Sequence, residues 1–422
     1  MKHQEHISVG SLKYNTATLP NGLRVIHLPS SSPVVYCGYQ IAAGTRHEQA
    51  GEEGLAHFCE HVTFKGTARR NALQIINALE KVGGELNAFT NKEDTTFYAA
   101  IHRDHFLSAF NLLTDIVFNS LYPQAEIDKE VQVVCDEIES YNDSPAELIY
   151  DEFENILFAN HPLGHNILGE AEHLRTYTTA DAQRFTRRHY RADNAVFFAY
   201  GDISFSRLLG MLAKNATAAT LPAAGQGVTP AARLEPLAPG HQVIVRHKDT
   251  HQAHVMMGCR AYHFNHPRRM ALYLLNNLLG GPGMNSLLNL SLRERHGLVY
   301  TVESTMVAYS DAGLWGVYFG CDTADVRKCR QLVRRQLDRL MQKPLSAARL
   351  AAAKRQIKGQ IAIACDNREN FALDFGRNFL HNGTEKDLST LFARIDAVTA
   401  DDLLQVARQL FQPEHIVTLI YQ

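Results

Sequence analysis

Hydrophobic and polar positions change period along the chain, and the changes mark its elements. Val34 to Ala43 and Val255 to Tyr262 are apolar runs that read as strands, each leading towards a helix. The stretch around residues 57–61 is apolar-patterned with helical character, and Val131, Val134 and Ile138 form the stripe of a core-facing helix. The run from Tyr190 to Tyr200 combines a turn with an apolar strand, and Phe411 to Tyr421 does the same 221 positions on, counted from Tyr200 to Tyr421. Between the halves, Ala216 to Gly240 is rich in Ala, Pro and Gly, with Pro222, Pro230, Pro236 and Pro239 breaking any helix. This predicts an internal duplication with a period near 220 residues. The fold class expected is α+β: two homologous domains, each a mostly antiparallel sheet packed against helices. Residues 1–215 form the first, 216–240 the linker and 241–422 the second.

Length supports two domains, since 422 residues exceed a single typical core. Hydrophobic content of 45% and charged content of 20% are ordinary for a globular protein. A net charge of -2 gives no reason to propose nucleic acid or an anionic membrane as partner. Seven scattered cysteines do not look like a disulfide framework, and no apolar run approaches a membrane span. The N-terminus MKHQEHISVG lacks the apolar core of a signal peptide. A cytoplasmic, reducing location is expected, or a periplasmic one where a signal peptide has been removed.

Candidate chemistry concentrates in His57-Phe58-Cys59-Glu60-His61. On a helix, His57, Glu60 and His61 fall within about a 100° arc and project from one face. Two imidazoles at i and i+4 can close on one Zn²⁺, with the carboxylate between them within reach of an activated water. The string is the inverzincin signature. With 21 histidines in the chain it can also arise by chance, so a third ligand is required. Glu130 and Glu137 are two helical turns apart and share a face. They supply candidates, against the alternative of a solvated acidic face.

Taken together, these motifs resemble the pitrilysin family of zinc metallopeptidases, which includes insulysin and the mitochondrial processing peptidase; the chain looks like a two-domain, bacterial-size member. In that family the H-x-x-E-H helix is followed by a ligand glutamate closing an E-x6-E stretch, and here Glu137 lies 76 positions after His61. The resemblance implies that His57, His61 and Glu137 hold one zinc ion per chain, that Glu60 is the general base and that Glu130 orients the site. It also implies that Gly83 to Thr90 contains a strand whose Asn87, Ala88 and Phe89 pair with extended substrate, Asn87 otherwise being a turn residue. The runs His161 to Gly169 and Tyr190 to Asn194 match further family landmarks. Arg293 to Tyr300 resembles the family's R-x6-Y element, which implies catalytic and substrate contacts for Arg293 and Tyr300. The alternative for that pair is a solvated helix face and a half-buried strand. Leu287 departs from the arginine that relatives of this size often carry, at a position outside the metal and R-x6-Y elements.

The function expected is a zinc-dependent endopeptidase acting on peptides or unfolded segments bound in extended form. The alternative is a non-catalytic partner subunit of a heterodimeric peptidase. Family members enclose substrate between four such domains, which implies a homodimer, or a heterodimer with a related subunit, and raises the prospect that Arg293 and Tyr300 serve the partner's site. The second half carries no H-x-x-E-H, so only the first copy is a metal site. Cys59, about 200° around the helix from His57, and Cys135 read as packed thiols. His47, His102, His105, His161, His165, His189 and His296 read as surface or hydrogen-bonded histidines.

Overall fold

The computed structural model describes residues 12–216, 240–248 and 250–422. Most of the expected linker, residues 217–239, therefore lies outside the described residues. On either side of it stands one sheet. The first contains β1 (Asn15–Thr18), β2 (Arg24–Pro29), β3 (Val34–Ile41), β4 (Glu85–Thr90), β5 (Thr95–His102) and β6 (Ala195–Gly201), in the order β1-β2-β6-β3-β5-β4. The second contains β7 (Gln242–Arg246), β8 (Ala253–Arg260), β9 (Val299–Ala308), β10 (Gly313–Cys321) and β11 (Val417–Tyr421), in the order β7-β11-β8-β10-β9. Without β1 the two orders are identical. Each has one parallel pair, β2 with β6 and β7 with β11, and is otherwise antiparallel. The α+β fold and the duplication are thus present strand for strand.

Both faces of each sheet are covered, which explains why the central strands are apolar at nearly every position. In β6, Phe197 points into the core formed with the Phe106–Asn119 helix, while Val196 and Phe198 point to the other face. That other face is covered by a helix from the far half of the chain. Phe371, Phe375 and Phe379 of the Arg368–Asn382 helix, four residues apart, form a stripe against Ile26, Leu28, Val196 and Phe198. The exchange is reciprocal. Leu148, Ile149, Phe153 and Leu157 of the Pro145–Leu157 helix pack on Met256, Tyr318, Val417 and Leu419 of the second sheet. Polar ties accompany the apolar ones: Gln40 Nε2 donates to the Leu373 carbonyl (2.9 Å), and the Tyr98 hydroxyl donates to Glu369 (2.7 Å). The duplication pattern foretold two sheets but not this exchange of helices.

Among the described residues, β4 and β9 are equivalent outer strands, each paired on one edge only. Among the described residues no helix is long and apolar enough to cross a membrane.

Candidate metal centre

The helix that carries the H-x-x-E-H string spans Leu55–Thr63. Leu55, Phe58, Cys59 and Val62 sit in the first core, leaving His57, Glu60 and His61 on the opposite face. Its N-terminus is fixed from outside the helix. Gly54 adopts φ +88° and Gly169 φ +71°, and a Cβ on either would meet the other's Cα at 2.6–2.7 Å, so only two glycines allow the His161–Gly169 loop to lie this close. Glu48, with its side chain only 1% exposed, completes the anchorage. It accepts the backbone N–H groups of Gly54 (3.0 Å) and Ala56 (2.7 Å) and pairs with His165 Nε2 at 2.8 Å. This is an N-cap supplied at a distance, answering orphan donors and the positive end of the helix together. His165 therefore has a structural contact, and Cys59 is buried with its Sγ 3.9 Å from the Ala182 carbonyl.

Glu130 and Glu137 project from the Gln124–Asn142 helix. Glu137 Oε1 lies 3.9 Å from His57 Nε2 and Oε2 lies 3.4 Å from His61 Nε2. One donor atom from each of His57, His61 and Glu137 falls within 4.8 Å of the others. Glu130 approaches the other nitrogen of His61, Oε1 to Nδ1 at 3.1 Å, and its second oxygen takes the Lys65 ammonium at 2.5 Å. Glu60 accepts a hydrogen bond from the Thr90 hydroxyl (2.9 Å). Glu137 is 44% exposed in its side chain whereas His57 is buried, so the group opens to solvent on one side.

The electrostatics suit a cation. Burial, and then the neighbouring His61, push His57 down to about 3, which keeps the ring neutral, the form in which an imidazole can bind a metal. Burial pulls His61 down too, but its hydrogen bond to Glu130 and the charges of Glu60, Glu137 and Glu130 outweigh this and raise it. Burial likewise opposes ionisation of Glu130, yet hydrogen bonds from His61 and Lys65 prevail and lower it. Burial pushes Glu60 up to about 7, against the Thr90 hydrogen bond and the charge of His61. Three carboxylates around one proton-attracting imidazole make a site where a bound cation displaces a proton. Two imidazole nitrogens and one carboxylate oxygen, with one side open, fit Zn²⁺ in its catalytic coordination. Among the described residues, His57 Nδ1 is buried with no hydrogen-bond partner, whereas His61 has its tautomer set by Glu130.

β4 runs beside this group as the free edge of the first sheet, with Asn87, Ala88 and Phe89 in the strand itself, not in a turn. Arg293 and Tyr300 lie elsewhere. Arg293 is in a π-helical turn (Asn289–Glu294), Tyr300 is 81% exposed near the start of β9, and the guanidinium sits 5.6 Å over the Tyr300 ring. No hydrogen bond, ion pair or ring contact joins either to the three donors. They line a cleft of about 650 Å³ in the second half together with Asn277, Gly280, Gly281 and Ile357. The cleft lies between the Arg269–Gly280 helix, the Ala347–Ala364 helix and β9, which answer in chain order to the Leu55–Thr63 helix, the Gln124–Asn142 helix and β4. It is the second-half counterpart of the His57, His61 and Glu137 group, with no histidine among the described residues of its lining.

Sequence reasoning missed Glu48, Lys65 and Thr90, while His165, read as a surface or hydrogen-bonded histidine, is hydrogen-bonded to Glu48. Lys65 lies two residues past the end of the Leu55–Thr63 helix and follows His61 by four positions. Glu48 and Thr90 approach from separate elements and left no spacing to read.

Fold and donor set define a class: a duplicated α+β chain with one His-His-Glu centre and a carboxylate at its side, of the inverted H-x-x-E-H type. The chain belongs to the insulinase family, peptidase family M16. A family model described as Insulinase (Peptidase family M16) matches residues 24–171, and one described as Peptidase M16 inactive domain matches residues 176–357. A protein described as an uncharacterized zinc protease from Bacillus subtilis (strain 168) is 31% identical over 405 residues, spanning 96% of this chain and 97% of its own length. The mitochondrial-processing peptidase subunit beta of Bos taurus is 32% identical over 396 residues, spanning 92% of this chain and 80% of its own. Among solved structures, a protease from Helicobacter pylori shares the fold at a TM-score of 0.89 and 23% identity, covering 98% of this chain and 100% of its own. A peptidase M16 inactive domain from Pseudomonas fluorescens does so at 0.88 and 19%, covering 97% and 98%.

Proposed function

We propose that this protein is a zinc-dependent endopeptidase that hydrolyses peptides or unfolded segments held in extended form. The observation that carries the reading is the convergence of His57, His61 and Glu137 to within 4.8 Å beside Glu60. The names of the relatives and the complete donor set support catalysis over the role of a non-catalytic partner subunit. The match to a model called inactive domain covers mostly the second half, where no H-x-x-E-H string occurs.

His57, His61 and Glu137 would hold the zinc ion, which supplies Lewis acidity and brings the pKa of water towards neutrality. Glu60 accepts the proton of the attacking water and returns it to the leaving nitrogen. Its buried position favours exchange of a proton near neutral pH, and Thr90 fixes its orientation. Glu130 orients His61 through Nδ1 and keeps that ring basic. Substrate adds as a strand to the free edge of β4 at Asn87, Ala88 and Phe89, which gives main-chain affinity with little sequence preference. Arg293 and Tyr300 bind substrate in their own cleft, and in a dimer they serve the zinc centre of the partner. Seven free thiols, six of them buried, suit a reducing compartment such as the cytoplasm.

The test is Glu60→Gln, which keeps the donors and removes the base. Hydrolysis of a quenched peptide should vanish while zinc stays bound. Undiminished turnover by the zinc-loaded variant would overturn the assignment of Glu60.

A further inference from the structure

Between β4 and β5 lies a turn, Asn91 to Asp94, that a hairpin would normally leave in solvent. Here two of its four residues are buried, Lys92 and Asp94, each 3% exposed. It begins at the residue after Thr90, whose hydroxyl holds Glu60, and it ends the strand proposed to receive substrate. Gly44 lets the backbone of the preceding loop come against it, since a Cβ there would lie 2.1 Å from the Asn91 carbonyl. Thr45 and Arg46 then donate their N–H groups to the carbonyls of Asn91 (3.2 Å) and Lys92 (2.9 Å).

The other contacts come mainly from the second half. Glu93 accepts the Ser310 N–H (3.1 Å) and hydroxyl (2.6 Å) and pairs with Arg46. Arg46 in turn grips Asp311 with both ends of its fork (2.9 and 2.7 Å). Ser310 and Asp311 form the β9–β10 turn. On the other flank, Asp94 pairs with His381 Nε2 at 3.0 Å and forms an ion pair with Arg377, whose Nε lies 3.3 Å away, both from the Arg368–Asn382 helix. The Arg377 guanidinium also lies 5.6 Å from the Phe89 ring, on the substrate strand itself. Lys92 points the opposite way and donates to the His165 carbonyl.

Buried ion pairs contribute little net stability, because desolvation offsets their attraction, but they admit only one geometry. Two such clusters gripping one four-residue turn therefore act chiefly on position. We propose that the Asn91–Asp94 turn is the coupling through which the second half positions Glu60 and the β4 edge, with Glu93, Asp94 and His381 as positioning residues that touch neither metal nor substrate. The inference rests on the reading of Glu60 as the base. Displacing the turn shifts Thr90, and with it the carboxylate, by a fraction of an ångström at a reaction where about 1 Å costs about a hundredfold.

The test combines Asp94→Asn, His381→Leu and Thr90→Val in the full-length chain, with zinc content, kcat and KM on a quenched peptide. Asp94→Asn and His381→Leu should keep one zinc per chain, lower kcat by roughly tenfold or more and raise KM. Thr90→Val should lower kcat with KM unchanged. His381→Gln, whose amide can still donate to Asp94, should restore much of what His381→Leu loses. In the double variant Asp94→Asn/Thr90→Val the two losses in kcat should be less than multiplicative, because both act on one carboxylate. Multiplicative losses, or kcat within twofold of the parent for both Asp94→Asn and His381→Leu, overturn the proposal. Should Asp94→Asn fail to fold, the His381→Leu and His381→Gln pair decides alone. An inactive Glu60→Gln beside unaffected turn variants sinks this inference only, whereas an active Glu60→Gln sinks the reading beneath it.

Discussion

Glu48→Gln tests whether the metal helix is held in place by a remote cap. The substitution preserves shape and removes a charge. In the native chain one carboxylate oxygen accepts Ala56 N–H at 2.7 Å, while the other accepts Gly54 N–H at 3.0 Å and meets His165 Nε2 at 2.8 Å. Glutamine offers one acceptor oxygen and one NH₂ group, so in either orientation at least one helix N–H faces a donor. Loss of an N-cap costs about 1 kcal/mol. A buried donor left without a partner adds about 1–3 kcal/mol. The side chain is 1% exposed, so solvent does not soften either effect. The sum is roughly 2–4 kcal/mol, a large fraction of a typical domain stability of about 5–15 kcal/mol. Because His57 directly follows the capped Ala56, the same loosening should weaken zinc affinity by about tenfold or more, as lost outer contacts of metal ligands do. Urea unfolding of the zinc-free protein reads the first effect, and competition with a chromogenic chelator reads the second. An unchanged midpoint together with unchanged zinc affinity would refute the role given to Glu48.

Removing a donor is the simpler perturbation. His61→Ala should lose zinc, since two donors and a vacated imidazole position hold it poorly, and elemental analysis of the purified variant checks this. Acid should weaken the clamp on the β4–β5 turn: burial opposes ionisation of Asp94, but hydrogen bonding to His381 and the charge of Arg377 outweigh it and lower its pKa. A carboxyl lowered in the folded state contributes stability above its unfolded pKa of about 3.9 and loses it as pH falls towards the folded value. The stability gap between the parent and Asp94→Asn should therefore be full near pH 6 and shrink below about pH 4, which urea midpoints across that range measure.

What the sequence revealed of this molecule follows the range of each interaction. Strands and the duplication were legible because alternation and apolar runs are local, and the Tyr200 and Tyr421 strands repeat the same turn-and-strand pattern. His57, Glu60 and His61 were legible because helical periodicity alone puts them on one face. Glu130 and Glu137 were legible as a shared face, but their approach to His61 was implied only by resemblance. Glu48, Thr90 and the Asp94 cluster stayed hidden because each acts across elements far apart in the chain. Net charge was also a poor guide to the interior, since a total of -2 says nothing of Arg46 locked between Glu93 and Asp311. Arg293 and Tyr300 were found by motif, yet their separation from the metal centre has no trace in their spacing.

The exchanged helices decide whether the halves are separable units. A segment of residues 1–215 retains every strand of the first sheet but lacks the Arg368–Asn382 helix. It then exposes the face bearing Ile26, Leu28, Val196 and Phe198, all buried in the intact chain. Re-exposing each such side chain costs about 1.5–3 kcal/mol, so the four together cost roughly 6–12 kcal/mol. Compact denatured states make that an upper estimate, but it still matches the whole stability of an ordinary domain. The segment should therefore be unfolded or aggregated alone. The complementary segment, residues 216–422, should fare no better, because the second sheet loses Phe153 and its neighbours. Co-expressed, the two should associate and regain zinc binding, since each supplies the helix the other lacks. Cooperative urea unfolding by residues 1–215 in isolation would show that the exchanged helix is dispensable. It would also show that the clamp on the β4–β5 turn joins two bodies already able to fold.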